Sequence, residues 1–318
     1  MAKTLDEHYG YLADRLKVQR YRAAIGKVVQ PGHDVLDLGC GSGLLGLLAL
    51  RAGAQKVFFV DEDHVIEVAR RMISEAGFAD RAEFLQANSF ELSLPERVDA
   101  VVCDHVGYFG FDYGVLALLA DAKQRFLKPG GKMIPSTIDV LVAPVESESS
   151  RTFVARWHDG DVLPEFEWLR DAAANTKHAV EIEPSGLLAE ASWLATLNLG
   201  KEADPYLSWN AEFQCTRDGT LDGIVGWFDC QLIDDIRMTN APGAPQRLDR
   251  PQALLPLERP VSVSKGEPVR VTVMVRHLEN IISWVVDLPE SGQRLAQSIF
   301  NGLLLDPEAV ARANPDRV

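Results

Sequence analysis

Val35-Leu36-Asp37-Leu38-Gly39-Cys40-Gly41-Ser42-Gly43 decides the fold of this chain. Its apolar residues, Val35, Leu36 and Leu38, make a run too short for a helix, and it stops at three glycines in alternate positions. The strongly apolar stretch 44–52 that follows reads as a helix. Strand, glycine turn and helix form the opening unit of a doubly wound sheet, whose ligands lie beyond the carboxyl ends of the strands. Glycine lets the backbone turn sharply and approach a ligand closely. An acid inside the strand, Asp37, is costly there unless it binds something. The next expected strand, 56–60, ends in Asp61, placed to hold the hydroxyls of a ribose.

A dinucleotide site is the first rival. Gly41-Ser42-Gly43-Leu44-Leu45-Gly46 matches G-x-G-x-x-G, a pattern too loose to decide alone. In that fingerprint the glycines follow the strand at once, and a pyrophosphate rests on the helix N-terminus. Here Gly39-Cys40 precedes the match, and Asp37 puts negative charge close to where the pyrophosphate would lie. A carboxylate suits a ligand carrying an ammonium or sulfonium instead. The whole stretch closely resembles the S-adenosylmethionine loop of class I methyltransferases. That resemblance implies cofactor contacts from Asp37, Gly39, Cys40, Gly41, Gly43 and Leu44, from Asp61 and Glu62 after the second strand, and from Asn88 and Ser89 at the adenine. Plainer roles stand beside these: Asp37 serving backbone donors, Asp61 capping a helix, and Asn88-Ser89 forming a turn.

Composition narrows the class. With 47% apolar residues the 318-residue chain has ample material for a packed core and room for one large or two ordinary domains. Its 46 acids against 32 bases leave a formal charge of −14, which argues against a nonspecific nucleic-acid binder. Cys40, Cys103, Cys215 and Cys230 show no C-x-x-C pairing and no histidine at a zinc-ligand spacing, so no zinc or other metal site is indicated. Cys40 and Cys103 fall beside expected ligand loops, where a disulfide would be awkward, so a reduced compartment is expected. The polar start, 1–9, lacks an apolar signal core, and no run reaches membrane-spanning length. The expected address is the cytoplasm.

Along the chain, 6–29 has a helical pattern ended by Pro31-Gly32. Strands at 34–38, 56–60, 82–86 and 98–103 then alternate with helices at 44–52, 63–76 and 113–127, which implies a mostly parallel sheet. Lys128-Pro129-Gly130-Gly131 reads as a turn into the strand 132–134. Beyond Pro135 the character changes. The segments 137–145, 191–199, 211–215, 221–233, 268–277 and 281–288 look like strands with partial alternation, the mark of an antiparallel β domain. The stretch 151–184 interrupts them with Trp157, Phe166, Trp168 and Leu169 among polar residues, 239–260 reads as a long loop, and 293–305 as a closing helix. The expected division is 1–135 and 136–318.

Joined at Ile134-Pro135, the two halves resemble the protein arginine methyltransferases over about 12–288. Asp14-x-x-Lys17-x-x-x-Tyr21-Arg22-x-Ala24-Ile25 is similar to that family's N-terminal helix. Val98-Asp99-Ala100-Val101-Val102-Cys103-Asp104-His105-Val106-Gly107-Tyr108-Phe109 is similar to its V-D-x-I-I-S-E-W-M-G-Y-F. Glu183-Pro184-x-x-Leu187-Leu188 resembles the strand entry after its dimerisation arm. The resemblance implies an α/β fold: a Rossmann-like class I methyltransferase domain followed by an antiparallel β-barrel-like domain, with 151–184 as the arm of a homodimer. Departures lie where the acceptor would bind. The family's first catalytic glutamate falls on Asp104 and its second on Tyr113, with Asp112 one position early. Its Thr-His-Trp triplet falls on Leu248-Asp249-Arg250, and its cofactor-carboxylate arginine on Lys17.

Asp104, His105 and Asp112 are therefore the expected catalytic residues, His105 as a base near neutral pH. Tyr108, Phe109, Phe111 and Tyr113 are expected to wall an acceptor slot or to pack in the core. The reading is an S-adenosylmethionine-dependent methyl transfer to a nitrogen of a peptide or small molecule, with no nucleic-acid or membrane partner. The alternative is an S-adenosylmethionine-binding scaffold without catalysis.

Overall fold

The computed structural model describes residues 2–157 and 162–302, with side chains from His8 onward. Two compact units emerge, and each is discontinuous in sequence. The first gathers 1–140, 196–204 and 228–250; the second gathers 141–195, 205–227 and 251–318. A single cut at 135 does not describe this division, because 196–204 and 228–250 return to the first unit.

In the first unit, α1 (Ala2–Ala13) and α2 (Arg15–Val28) precede β1 (Asp34–Leu38), α3 (Leu44–Ala52), β2 (Lys56–Asp61), α4 (Ile66–Glu75), β3 (Ala82–Gln86), β4 (Val98–Val102), α5 (Val115–Arg125) and β5 (Leu127–Ile134). The five strands are parallel in the order β3-β2-β1-β4-β5. β1 is central and flanked by strands on both sides, which is why Val35, Leu36 and Leu38 are all apolar and buried although they alternate between the two faces of the sheet. Strand order reverses between β1 and β4, so a crevice opens beyond their carboxyl ends. The single helix expected over 6–29 is broken at Asp14, whose backbone leaves the helical path at ψ 88° while its side chain accepts a hydrogen bond from the Lys17 N–H at 3.0 Å. The expected turn at 128–131 lies inside β5 instead, at a register shift against β4.

From Pro135 onward come β6 (Thr137–Val145), α6 (Glu148–Ala155), α7 (Leu169–Ala174), β7 (His178–Val180), β8 (Ser192–Asn198), β9 (Tyr206–Gln214), β10 (Gly219–Ile233), β11 (Ile236–Thr239), β12 (Gln252–Val263), β13 (Pro268–Arg276), β14 (Ile281–Leu288), β15 (Gln293–Ser298) and α8 (Ile299–Gly302). These strands form two sheets, β7-β12-β10-β6-β8 with β11 beside β10, and β15-β14-β13-β9. The pairings β12–β7, β10–β12, β13–β14, β13–β9 and β14–β15 are antiparallel. In the second unit the largest fully buried side chain is Trp284, whose indole N–H donates to the Pro256 carbonyl at 2.8 Å. Burying a large apolar side chain contributes about 1.5–3 kcal/mol, and the indole's polar end is satisfied at the same time.

Two further segments differ from the sequence reading. The expected loop 239–260 contains most of β12, because Pro256 sits opposite Gly223 beside a register shift, where a missing N–H is tolerated. The expected helix 293–305 begins instead as β15, with Leu295 and Gln297 buried in alternation. A buried glutamine hides the two-residue period from a reading based on apolar positions. Residues 303–305 of that segment lie outside the described residues. No described helix is long and apolar enough to cross a membrane.

Candidate active site

A cavity of about 330 Å3 lies at the carboxyl ends of β1, β2 and β4, within the first unit. One part of its wall is the glycine turn. Gly39, Gly41 and Gly43 have φ of 66°, 51° and 82°, conformations that residues with a Cβ rarely adopt. Space demands glycine as well: a Cβ on Gly39 would overlap the His105 ring, and one on Gly43 would press on Ala69 of α4. Asp61 accepts from the Gly41 N–H at 2.7 Å and from the Asp63 N–H at 2.9 Å, tying the turn to the end of β2. Asp37 is buried and accepts from the Gly46 N–H at 2.7 Å. Burial pushes its carboxyl up to about 7; the Gly46 N–H opposes the rise, and Asp61 and Asp104 add to it. Gly46 serves close packing, because a Cβ there would strike Phe59.

The other part of the wall is built on β4 and α2. Asp104 accepts from the Lys17 ammonium at 2.7 Å and lies 3.2 Å from the Tyr21 hydroxyl, whose one hydrogen it shares with the Cys103 carbonyl at 2.9 Å. The Arg250 guanidinium lies 3.5 Å from both carboxylate oxygens and donates to the Gly107 carbonyl at 2.9 Å. Lys17 and Arg250 are themselves buried. Burial alone would raise the Asp104 carboxyl; Arg250, then Lys17, then the Tyr21 hydroxyl outweigh it and hold the group below the usual carboxylate range. Lys17 also lies 4.7 Å from the Tyr11 ring centroid. His105 lies over Gly39, with Nδ1 3.3 Å from the Cys103 sulfur and its ring edge-on to Tyr113. Burial lowers its pKa more than the nearby acids raise it, so the ring is neutral at pH 7.

The structure brings Lys17, Asp37, Gly39, Cys40, Gly41, Leu44, Asp61, Asp104 and His105 to this one cavity. Gly43, Glu62, Asn88, Ser89 and Asp112 are not on its wall. Glu62 is exposed. Asn88 is exposed too and caps its own turn by accepting from the Phe90 N–H at 3.0 Å. Ser89 is buried, its carbonyl held by Arg125 at 2.6 Å. Asp112 is buried and accepts from the Tyr108 and Phe109 N–H groups at 2.9 and 2.7 Å, so its carboxylate folds the loop after β4 instead of reaching the cavity. The aromatic set divides: Phe109 and Phe111 are buried against each other, whereas Tyr113 lines the cavity and is exposed.

His8, Tyr11 and Leu12 of α1 also line the cavity, and sequence reasoning did not single them out for the site. Arg250 was visible only as a departure from a motif, without any hint that its guanidinium meets Asp104. Asn240, fully buried, was not visible at all; it accepts from the Phe228 N–H and donates to the Tyr108 carbonyl, pinning the loop from a distance of 132 residues. Among the described residues no cluster of His, Cys, Asp or Glu could hold a metal ion.

Known proteins share this architecture. A solved structure of the Trypanosoma brucei PRMT1 enzyme-prozyme heterotetrameric complex with AdoHcy superposes with a TM-score of 0.79 at 22% identity, covering 92% of this chain and 96% of that one. The fold is that of the protein arginine methyltransferases. Arabidopsis thaliana protein arginine methyltransferase 10, solved in an open conformation, gives 0.77 at 20% identity over 93% of this chain and 98% of that one. By sequence the chain is 26% identical over 306 residues to protein arginine N-methyltransferase PRMT10 of Arabidopsis thaliana, spanning 85% of this chain and 80% of the relative. The family described as Ribosomal protein L11 methyltransferase (PrmA) matches residues 22–169. These names agree on methyl transfer and differ in the acceptor. The chain thus resembles class I methyltransferases of the arginine-methyltransferase type.

Proposed function

We propose that this protein is an S-adenosylmethionine-dependent methyltransferase acting on a nitrogen nucleophile of a peptide or small molecule. One observation carries the reading: Asp37 and Asp61 line the same cavity as Asp104 and His105, on a glycine turn with no room for side chains. The residues fit the cofactor. A volume of about 330 Å3 lies within the range of small-molecule pockets, about 300–1,000 Å3. Asp61 offers a carboxylate to vicinal hydroxyls, and Asp37 favours a ligand that brings positive charge. The bound cofactor supplies an electrophilic methyl group.

The chain's own part is to position, to exclude water and to move a proton. Lys17, Tyr21 and Arg250 fix the Asp104 carboxylate in one orientation. Asp104 can then accept a hydrogen bond from the nucleophile and aim its lone pair, an effect that depends on alignment at the ångström scale. His105, neutral and adjacent, takes the proton that the nitrogen sheds. Incubating a lysate with isotopically labelled S-adenosylmethionine and purified protein should label one protein or small-molecule fraction. No transfer above a protein-free control, with the cofactor bound, would favour the scaffold without catalysis, a reading supported by the ion pairs of Asp104 with Lys17 and Arg250.

The protein acts as a homodimer through 151–184. In this stretch Leu163, Phe166 and Trp168 are exposed, an apolar group of the kind that marks interfaces. Sedimentation as a monomer at micromolar concentration would refute this.

A further inference from the structure

We propose that Arg250 is a built-in guanidinium that satisfies the charge of Asp104, and that the methyl acceptor is therefore an uncharged nucleophile. The inference rests on the methyltransferase reading and narrows its substrate class. A guanidinium or other permanent cation needs an ionised carboxylate with open lone pairs, ideally in paired, bidentate contact. Four acids line the cavity: Asp37, Asp61, Asp63 and Asp104. Asp37 and Asp61 belong to the glycine turn and accept backbone N–H groups there. Asp63 accepts from the Val65 N–H at 2.9 Å at the start of α4. Asp104 directly precedes the candidate base His105 and lines the cavity with it.

Asp104 is already over-compensated. Lys17 at 2.7 Å and Arg250 at 3.5 Å bring two positive charges to one negative charge, and both cations are buried where water screens them little. An incoming guanidinium would have to compete for the Asp104 oxygens with Arg250, which lies 3.5 Å from both of them and is also anchored to the Gly107 carbonyl. The second acid that could have shared the load, Asp112, is turned onto the Tyr108 and Phe109 amides. In the adjacent position Tyr113 presents a neutral ring to the cavity, with φ of 56°. That is a conformation rarely held by a residue other than glycine and more often kept at functional positions. Arg250 is thus a positioning residue: it orients Asp104 and sets the charge of the acceptor.

The test compares two peptides identical except for arginine or citrulline, its neutral isostere, titrated into the full-length protein saturated with S-adenosylhomocysteine. Wild type should bind the citrulline peptide at least as tightly as the arginine peptide. In Arg250→Leu the order should reverse, with arginine preferred at least tenfold, a change that a merely structural role for Arg250 would not produce. Arg250→Lys keeps the charge and should keep the wild-type order. If Arg250→Leu does not fold, the wild-type comparison still decides: a tenfold preference for arginine overturns the proposal. Failure of S-adenosylhomocysteine to bind wild type would instead refute the methyltransferase reading.

Discussion

The two parts of the cavity wall are built in opposite ways. The glycine turn is held by contacts close in sequence: Gly46 to Asp37 across nine positions, and Gly41 to Asp61 across 20. The wall around Asp104 is held by contacts that span the first unit: Lys17 across 87 positions, Arg250 across 146, and Asn240 to Tyr108 across 132. The first wall uses backbone amides and one acid at a time. The second uses buried charges that must balance together. Damage should therefore stay local in the first and spread in the second.

Removing the acid at the centre of the second wall should have the largest effect. Asp104→Leu leaves Lys17 and Arg250 buried without a counter-charge, a loss on the order of 3–5 kcal/mol in chemical denaturation. The triple variant Lys17→Met, Asp104→Leu, Arg250→Leu should recover much of it, since replacing a whole buried ionic group with apolar side chains is often near neutral. The pH dependence has a definite sign. The Asp104 carboxyl lies below its ordinary value in the fold, so its contribution is present above the unfolded value of about 3.9 and is lost as pH falls through the lower folded value. The stability gap between wild type and Asp104→Leu should close in strong acid. An Asp104→Leu protein as stable as wild type at pH 7 would break the contrast.

In the first wall, Asp61→Ala should weaken cofactor binding without unfolding the protein. Each charge-assisted hydrogen bond to a ribose hydroxyl contributes about 1.5–3 kcal/mol, or roughly tenfold to a hundredfold in Kd. Calorimetry with S-adenosylhomocysteine measures it; unchanged affinity removes Asp61 from the site.

Asp37 gives a smaller, pH-dependent effect. Its carboxyl is pushed up to about 7 in the fold, so it favours the unliganded fold most below about 3.9, and that contribution is lost as pH rises through about 7. A ligand bearing positive charge favours the ionised form, so cofactor binding should release a proton. Affinity should then rise between pH 6 and 8 by no more than about tenfold per pH unit. Asp37→Asn should flatten that slope, and an unchanged slope would assign the titration to another group.

The same contrast explains what could be read from the sequence. Val35 to Gly43 reveals strand, turn and helix because each residue's role depends on near neighbours and on φ. Asp37, Asp61, Asp104 and His105 follow from strand ends, and the fold brings them to one cavity. Asp112 looks as suitable as Asp104 on paper; only the path of the loop shows that its carboxylate meets the Tyr108 and Phe109 amides. Arg250 lies on a connection after β11, and no local pattern links it to Asp104. Gln297 is the counterpart in the second unit, a polar side chain buried by its strand neighbours and therefore misread as part of a helix.

The cofactor itself is the sharpest test. Wild-type protein should be titrated separately with S-adenosylmethionine and with NAD under identical conditions. Saturable binding of S-adenosylmethionine, tighter than that of NAD, is the expected result, because Asp37 beside the glycine turn disfavours a pyrophosphate and favours a cation. Tighter binding of NAD, or no binding of S-adenosylmethionine, would contradict the assignment of this cavity to methyl transfer.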